Sequence, residues 1–280
     1  LKYTNDIFLI ENDEMVICTP DSITIKDKDG KEVRREAMKI TWSVEDAEKG
    51  GYEHFMLKEI NEQPKVVAET LNRRIDEDGK IKLDGINLTK EELDKYNKIY
   101  IVACGTAYHA GLVGKYVIEK MAGIAVEVDV ASEFRYRDPF IDEKTLFIAI
   151  SQSGETLDTL MSLRLAKEKG ARVLSVVNVV GSSIARESDD VFYTWAGPEI
   201  AVASTKAYTT QLVCMYLIAL YLGDIRGTLT DEYRKFILEE LQQIPEKIQE
   251  ILEEAPYIEK LAKRLYNKTQ VFFIGRGLDS

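Results

Sequence analysis

The sequence predicts an α/β protein built on a doubly wound, parallel, five-stranded sheet, with a small N-terminal β segment and C-terminal helices. Three observations support this fold class. Short β-branched apolar runs alternate with helical patterns between residues 98 and 194, as consecutive β-α units require. Residues 230–268 place apolar side chains at helical spacing with acidic residues between them. Residues 1–42 instead contain short apolar runs separated by turn signals.

The strands of the sheet are expected at residues 99–103, 125–130, 146–150, 172–178 and 190–194. Helical patterns follow the first strand at residues 107–121 and the third strand from Leu157 to Leu165. After Gly197, a polar loop leads into a long, mostly apolar helix. The final ten residues predict one more strand, which runs into a glycine-containing turn.

The segments before the sheet predict that the chain is part of a larger protein. The hairpins of residues 1–42 bury too little surface to stand alone, so we expect them to end a larger domain or to cover the next one. Leu1 in place of an initial methionine fits a fragment. Residues 53–74 have a helical pattern that Pro64 should break, and the acidic residues 76–98 are the best linker candidate.

Composition narrows the range of partners. The 280 residues include 37 basic and 48 acidic side chains, and the net charge of −11 disfavours nucleic acid or an anionic membrane as a general partner. A small anionic ligand stays compatible with this charge, because local donors decide its binding. No signal-peptide pattern opens the chain, and the apolar run at residues 212–222 is too short and mixed to predict a membrane span. We expect a cytoplasmic location.

Cysteine and histidine usage predicts neither a disulfide framework nor a metal site. Cys18, Cys104 and Cys214 are odd in number and far apart in the sequence. The two histidines, His54 and His109, are not spaced as a metal-binding pair. We therefore expect no metal, and no organic cofactor is predicted.

The segment SQSGET at residues 151–156 is the strongest candidate for ligand binding. It follows a predicted strand and precedes a predicted helix, which places it at the carboxyl edge of the sheet. Ser151, Gln152, Ser153 and Thr156 offer three hydroxyls and an amide, which together with free helix N–H groups suit a phosphate monoester. Ordinary helix capping is the alternative, but it explains one hydroxyl rather than the whole segment. The phosphate interpretation is therefore preferred.

Two other loops are candidates for the same site. Cys104, Gly105 and Thr106 follow the first strand, so they should face the same edge as SQSGET. A reactive Cys104 would need an activating group such as His109, and a packed cysteine with a helix-packing histidine is the favoured alternative. Residues 202–206 either face a ligand or cap the long helix, with Lys206 in solvent. Nucleophile-elbow, Walker and Rossmann motifs are absent.

Four segments in this order resemble the glucosamine-6-phosphate synthase family, the glutamine:fructose-6-phosphate amidotransferases. They are ACGTAYHAG at 103–111, ASEFRYR at 131–137, SQSGETLDTL at 151–160 and EIAVASTKAYTTQL at 199–212. The resemblance covers nearly the whole chain and implies four parts: the end of a glutaminase domain (1–52), interdomain helices and linker (53–97), a first sugar-isomerase (SIS) domain of flavodoxin-like fold (98–228), and connecting helices with the start of a second SIS domain (229–280).

The resemblance implies a site for fructose-6-phosphate or glucosamine-6-phosphate. The implied phosphate ligands are Thr106, Ser151, Gln152, Ser153 and Thr156; Val202, Ala203 and Ser204 would border the sugar, and Cys104, Gly105 and Lys206 are further candidates. Many family members have serine where this chain has Ala107, so one hydroxyl of the phosphate site is expected to be missing here.

The resemblance further implies a parent homodimer that transfers glutamine-derived ammonia to fructose-6-phosphate and isomerises the product to glucosamine-6-phosphate. The apolar helix at residues 207–222 would offer surface for the dimer. The family's nucleophilic cysteine and its acid-base Glu, His and Lys would lie outside this chain, so no catalytic residue is assigned and we expect binding without turnover.

Two alternatives remain at this point. A non-catalytic, phosphosugar-binding SIS regulatory module should carry a basic helix-turn-helix before residue 98, and no basic cluster occurs there. A single-domain sugar-phosphate isomerase needs its own Glu and His, and Glu155 is the only carboxylate within SQSGET. A first-turn acid of this kind more often interacts with the helix dipole.

Overall fold

The computed structural model describes residues 4, 6–39, 48–76, 80–83, 85, 86 and 88–277. The chain forms two compact units, Leu1–Glu53 and His54–Ser280. In the first unit, β2 (Met15–Cys18), β3 (Ile23–Lys26) and β4 (Glu32–Val33) form an antiparallel sheet, and β1 (Asp6–Ile7) pairs with β5 (Met38–Lys39). The predicted small N-terminal β segment is confirmed. Its last residues, 40–42, lie outside the described residues.

The second unit contains the predicted five-stranded sheet. Its strands are β6 (Lys98–Ala103), β7 (Ala125–Val130), β8 (Thr145–Ser151), β9 (Arg172–Val177) and β10 (Asp190–Tyr193). All neighbours are parallel, in the order β10-β9-β8-β6-β7. Both faces of the sheet are covered, which explains why its strands are nearly continuous apolar runs. The predicted fold class is confirmed.

The helices are α1 (Phe55–Asn72), α2 (Lys90–Leu93), α3 (Thr106–Ala122), α4 (Ala131–Phe134), α5 (Leu157–Glu168), α6 (Ser183–Glu187), α7 (Lys206–Arg226), α8 (Asp231–Glu253) and α9 (Ala255–Leu265). Alternate strand residues point into two apolar cores. Ile101 and Ile148 pack with α1, α3, α7 and α8, whereas Val102 and Phe147 pack with α4, α5 and α6.

The strand order creates a crevice between β6 and β8. The chain leaves β6 through α3 on one face of the sheet and enters β7, whereas it leaves β8 through α5 on the other face and enters β9. Such a reversal at the carboxyl ends of adjacent parallel strands opens a space where ligands bind in doubly wound folds. The turns after β6 and β8 contain the two candidate loops that the sequence places at this edge.

Helix α1 is continuous, so the predicted break at Pro64 is wrong. Pro64 lacks the N–H that would bond to the carbonyl of Ile60. The side-chain amide of Gln63 supplies the missing donor, with Nε2 3.0 Å from the Ile60 oxygen. The helix therefore keeps its hydrogen bonding through the proline.

The predicted linker is packed onto the core rather than extended in solvent. Ile81, Leu83, Ile86, Leu88 and Leu93 are all buried in the core that contains α1 and α7. The acidic residues between them hide this apolar pattern in the sequence. Residues 77–79, 84 and 87 of this segment lie outside the described residues.

The predicted C-terminal strand is not formed. Residues 271–274 are exposed and irregular, and none of the strands in the described part of the chain pairs with them. A β-strand needs a neighbour to satisfy its backbone groups, which a local apolar run cannot supply. Residues 278–280 lie outside the described residues.

Helix α7 is a central core helix. Its 21 residues are long and apolar enough, by length and composition, to cross a membrane, although the sequence had predicted too short an apolar run. In the structure 61% of its most apolar window is buried, against α1 and α3 among others. Its apolar side chains are therefore largely occupied by the core. The burial of these α7 side chains gives little support to the expectation that residues 207–222 form a homodimer surface.

Arg172 on β9 and Asp190 on the edge strand β10 form a partly buried ion pair that ties these two neighbouring strands together. Their side chains make two hydrogen bonds, of 2.7 and 3.0 Å, and Asp190 is 2% exposed. These hydrogen bonds raise the pKa of Arg172 above its ordinary value. The Arg172 guanidinium therefore stays charged and relies on the Asp190 carboxylate to accept two of its hydrogen bonds.

We expect Asp190→Ala to lower the free energy of unfolding by about 2–3 kcal/mol, because it leaves a half-buried guanidinium without its main acceptor. Urea denaturation followed by circular dichroism measures the loss. Glu69→Ala is the control, since the Glu69 side chain on α1 is 44% exposed and makes only a long, 4.0 Å ion pair with Lys65, and the substitution should change stability by less than about 0.5 kcal/mol. Equal effects of both substitutions would contradict the role given to Asp190.

Candidate functional site

A cleft of about 190 Å³ opens where β6 and β8 end. Three segments supply its walls: the turn after β6, the turn after β8 and the loop before α7. The lining residues are Cys104, Thr106, Ala107, Ile150, Ser151, Gln152, Ser153, Thr156, Glu199, Ala201, Val202, Ser204 and Gln211. A larger groove of about 330 Å³ between α7 and α8 is mainly apolar and lacks such a group of hydroxyls.

The hydroxyls of the turn after β8 hold the turn in shape. Ser151 Oγ accepts the Gly154 N–H at 3.0 Å and lies 3.1 Å from Thr156 Oγ1, and Ser153 Oγ accepts the Glu155 N–H at 3.1 Å. The capping alternative is therefore partly correct, because Ser151 accepts the N–H of the residue three positions along the chain. Each hydroxyl that accepts a bond still carries a proton to donate. Thr156 is the N-cap residue of α5 but makes no side-chain capping bond, so its hydroxyl remains directed to the cleft and Ser151.

Helix α6 holds the turn after β8 in place through two hydrogen bonds. The Gly154 carbonyl accepts the Ile184 N–H at 3.0 Å, and Glu155 Oε1 accepts the Ser183 N–H at 2.7 Å. Gly154 has a φ of +66°, and a Cβ there would lie 2.0 Å from Ser182 Oγ. Only glycine fits this position. The Glu155 carboxylate faces α6 and is not among the cleft-lining residues, so it does not supply the acid that a single-domain isomerase would need.

The turn after β6 presents the beginning of α3 to the cleft. Gly105 is its N-cap residue, with φ 60° and ψ −135°, and it lies beside the cleft without lining it. Thr106 and Ala107 follow at the helix start, where N–H groups have no partner within the helix. Cys104 is half-buried in the cleft wall. His109 lies outside the lining on the exposed side of α3, packed edge-on against Tyr108.

Glu199 shapes the loop before α7. Its carboxylate accepts hydrogen bonds from the Ser204 hydroxyl at 3.0 Å, the Thr205 N–H at 2.9 Å and the Ala207 N–H at 3.1 Å. These bonds cap α7 and turn Ser204 and Val202 towards the cleft. This loop therefore both lines the cleft and caps α7, with Glu199 rather than Ser204 as the capping group. Its contact with a ligand stays a prediction.

Residues 92–221 match the family model described as the SIS domain. This chain contains a SIS domain. The chain is 60% identical over 279 residues to glutamine–fructose-6-phosphate aminotransferase (isomerizing) of Clostridium tetani and 56% identical to that of Caldanaerobacter subterraneus, with 100% of this chain and 46% of each relative aligned. The chain thus spans about half the length of the curated relatives it matches.

Comparison with solved structures also finds an aminotransferase domain that is similar to this chain. The C-terminal domain of glucosamine-fructose-6-phosphate aminotransferase from Francisella tularensis superposes with a TM-score of 0.77 and 44% sequence identity, covering 82% of this chain and 64% of that chain. The family resemblance stated from four sequence segments is therefore confirmed.

Two further candidate residues, Lys206 and Ala203, do not line the cleft. Lys206 is 2% exposed and its ammonium is 2.6 Å from Glu62 Oε2 on α1, so it is neither in solvent nor in the cleft lining. Ala203 is exposed beside the cleft without lining it. The other predicted binding residues, Thr106, Ser151, Gln152, Ser153, Thr156, Val202 and Ser204, together with Cys104, line the cleft. Their contact with a sugar phosphate stays a prediction.

Gln211 is a cleft residue that sequence reasoning missed. It is 2% exposed on α7, and its Oε1 accepts no hydrogen bond from any residue in the described ranges. A buried amide oxygen without a donor is costly, so it marks a position where a ligand hydroxyl or a water would bind. The sequence feature that could have identified Gln211 is an amide side chain directly before the apolar run LVCM.

The electrostatics of the SIS cleft favour an anion without any basic side chain. None of the lining residues is Lys or Arg, and the only carboxylate, Glu199, is occupied by capping α7. Helices α3 and α5 both begin at the cleft, and the first turn of α3 contains no acidic residue. Their positive ends therefore face the cleft. Within the described ranges, no three His, Cys, Asp or Glu side chains are grouped as metal ligands.

We expect Gly154→Ala to destabilise the SIS domain by about 2–4 kcal/mol, because it combines an unfavourable φ with overpacking against Ser182. Gly123→Ala is the matched control: its φ is +63°, but nothing lies within 4 Å of the added Cβ, so it should cost only about 1 kcal/mol. Thermal and urea denaturation measure both. In a Ser182→Gly background the cost of Gly154→Ala should fall towards that of the control. A cost unaffected by Ser182→Gly would show that the close approach is not the cause.

Proposed function

We propose that the cleft binds the phosphate of fructose-6-phosphate or glucosamine-6-phosphate through neutral donors. The observation that carries this proposal is the convergence of the side chains of Ser151, Gln152, Ser153 and Thr156 with Thr106 in one small cleft at the beginnings of α3 and α5. A phosphate monoester offers three terminal oxygens, which can accept several such bonds at once.

The opposite wall suits the sugar. Ala201, Val202, Ser204 and Gln211 face the phosphate turn across the cleft and combine apolar surface with two hydrogen-bonding groups. The cleft volume of about 190 Å³ matches a small metabolite better than a dinucleotide, and no Rossmann glycine pattern precedes it.

We infer that the parent protein is a glutamine–fructose-6-phosphate aminotransferase, in which glutamine-derived ammonia is transferred to fructose-6-phosphate. Alignment of the whole of this chain with 46% of each of two such aminotransferases supports this over a regulatory SIS module. The carboxylates of Glu155 and Glu199 are occupied by capping α6 and α7, and His109 is outside the cleft. The chain should therefore bind sugar phosphate without converting it.

A homodimer and a cytoplasmic location are proposals that rest on the family resemblance and composition.

We expect fructose-6-phosphate to bind the chain at least about 100-fold more tightly than fructose, because each hydrogen bond to the charged phosphate contributes about 1.5–3 kcal/mol. Isothermal titration calorimetry at fixed ionic strength measures both affinities. Labelling of Cys104 with a thiol reagent locates the ligand, since occupancy of the cleft should slow its reaction and leave that of exposed Cys18 unchanged. Equal affinity for the two sugars would refute the phosphate site.

The double substitution Ser151→Ala with Ser153→Ala should weaken fructose-6-phosphate binding by about 10- to 100-fold, through loss of two donors. Ser175→Ala is the control, because Ser175 is buried on β9, away from the cleft, and its hydroxyl has no hydrogen-bond partner among the described residues. Near-ultraviolet circular dichroism verifies that each variant is folded. Unchanged affinity in the double variant would leave the two serines with a purely structural role in the turn.

A further inference from the structure

We propose that Glu59, on helix α1, is a positioning residue for the cleft wall that faces the sugar. This inference rests on the proposed function and adds a residue outside the matched SIS range of 92–221. Glu59 does not line the cleft itself. It acts through the backbone of the loop before α7.

The hydrogen bonds of Glu59 go directly to this loop. Its Oε1 accepts the Ile200 N–H at 2.6 Å and the Ala201 N–H at 3.1 Å. Ala201 lines the cleft and Val202 follows it at the cleft mouth. Because residues 199–205 form neither helix nor strand, side-chain bonds of this kind fix the backbone there.

The burial of Glu59 argues for a specific role. The residue is 1% exposed, and its second oxygen, Oε2, accepts no hydrogen bond from the described part of the chain. Burying a half-satisfied carboxylate is costly. A buried position on α1 would be occupied more favourably by an apolar residue if packing were its only task. The bonds that Glu59 does make are those to the cleft loop.

Other residues hold α1 in place independently of Glu59. Glu62 pairs with Lys206 at 2.6 Å, and Gln63 Oε1 lies 2.5 Å from the Thr209 hydroxyl. Val67 and Leu71 anchor the second half of the helix in the core. Removal of the Glu59 carboxylate should therefore free residues 200–202 without detaching the helix from α7.

The phosphate turn has a separate support. Residues 151–156 are held by their own hydroxyls and by α6, through Ser183 and Ile184. A change at Glu59 should thus affect the part of binding that depends on the sugar and spare the part that depends on the phosphate. This separation distinguishes positioning from a general loss of structure.

The test compares wild type, Glu59→Ala, Glu59→Gln and the control Glu69→Ala, at a partly exposed position of α1, in the whole chain. Calorimetry measures the affinity for fructose-6-phosphate, and competition measures the affinity for inorganic phosphate. We expect Glu59→Ala to weaken fructose-6-phosphate binding about tenfold and to change phosphate binding less than about twofold. Glu59→Gln, which keeps an acceptor oxygen, should restore most of the loss, and Glu69→Ala should have no effect.

Hydrogen–deuterium exchange provides a readout that needs no ligand. In Glu59→Ala, amides of residues 199–206 should exchange faster, while those of residues 151–156 should exchange as in wild type. Equal weakening of both ligands, or exchange that rises in both segments, would reduce Glu59 to a structural residue, and unchanged affinity and exchange would overturn the proposal. If wild type bound neither ligand while exchange still responded only in the loop, the proposed function would fail and the positioning of the loop would stand.

Discussion

The parallel pairing of β6 with β8 is the interaction on which the site depends. Ala103 lies opposite Ile150 in the register, so the turns that follow the two strands begin at the same height on the sheet. Because the chain then crosses to opposite faces, the two turns separate and leave a cleft between them. A slip of one residue would turn every side chain of β8 to the other face and place Ser151 out of reach of Thr106.

The turn after β8 combines structural hydrogen bonds with a place in the lining of the cleft. The Ser151 and Ser153 oxygens accept backbone N–H groups, which makes the turn rigid before any ligand arrives. The Ser153 proton stays available to a ligand acceptor, and the hydrogen-bonded pair of Ser151 and Thr156 hydroxyls has one further proton to donate. Preorganised donors reduce the ordering cost of binding, and the close contact of Gly154 with Ser182 serves the same end. Glu155 adds to this rigidity by capping α6.

The segment before the SIS domain is an integral part of the α/β unit. Helix α1 remains continuous through Pro64 and contributes Glu59, Glu62 and Gln63 to the beginning of α7. The acidic segment after α1 buries five apolar side chains in the same core. Because α1 holds the loop before α7, the geometry of this cleft wall depends on the packing of α1.

The sequence by itself determined the parts of the protein that local pattern encodes. Apolar runs located the five strands to within one residue at each end, and the composition of SQSGET located a polar turn that lines the cleft, because strand periodicity and turn chemistry operate within a few residues. Tertiary structure alone decided the partners of charged and amide groups. Glu59 bonds to Ile200 across 141 positions, Lys206 is buried against Glu62, and Gln211 lacks a donor in the cleft wall. Residues 271–274 remain outside any strand because an apolar run does not specify its neighbour. Such long-range contacts arise only when the sheet brings distant segments together.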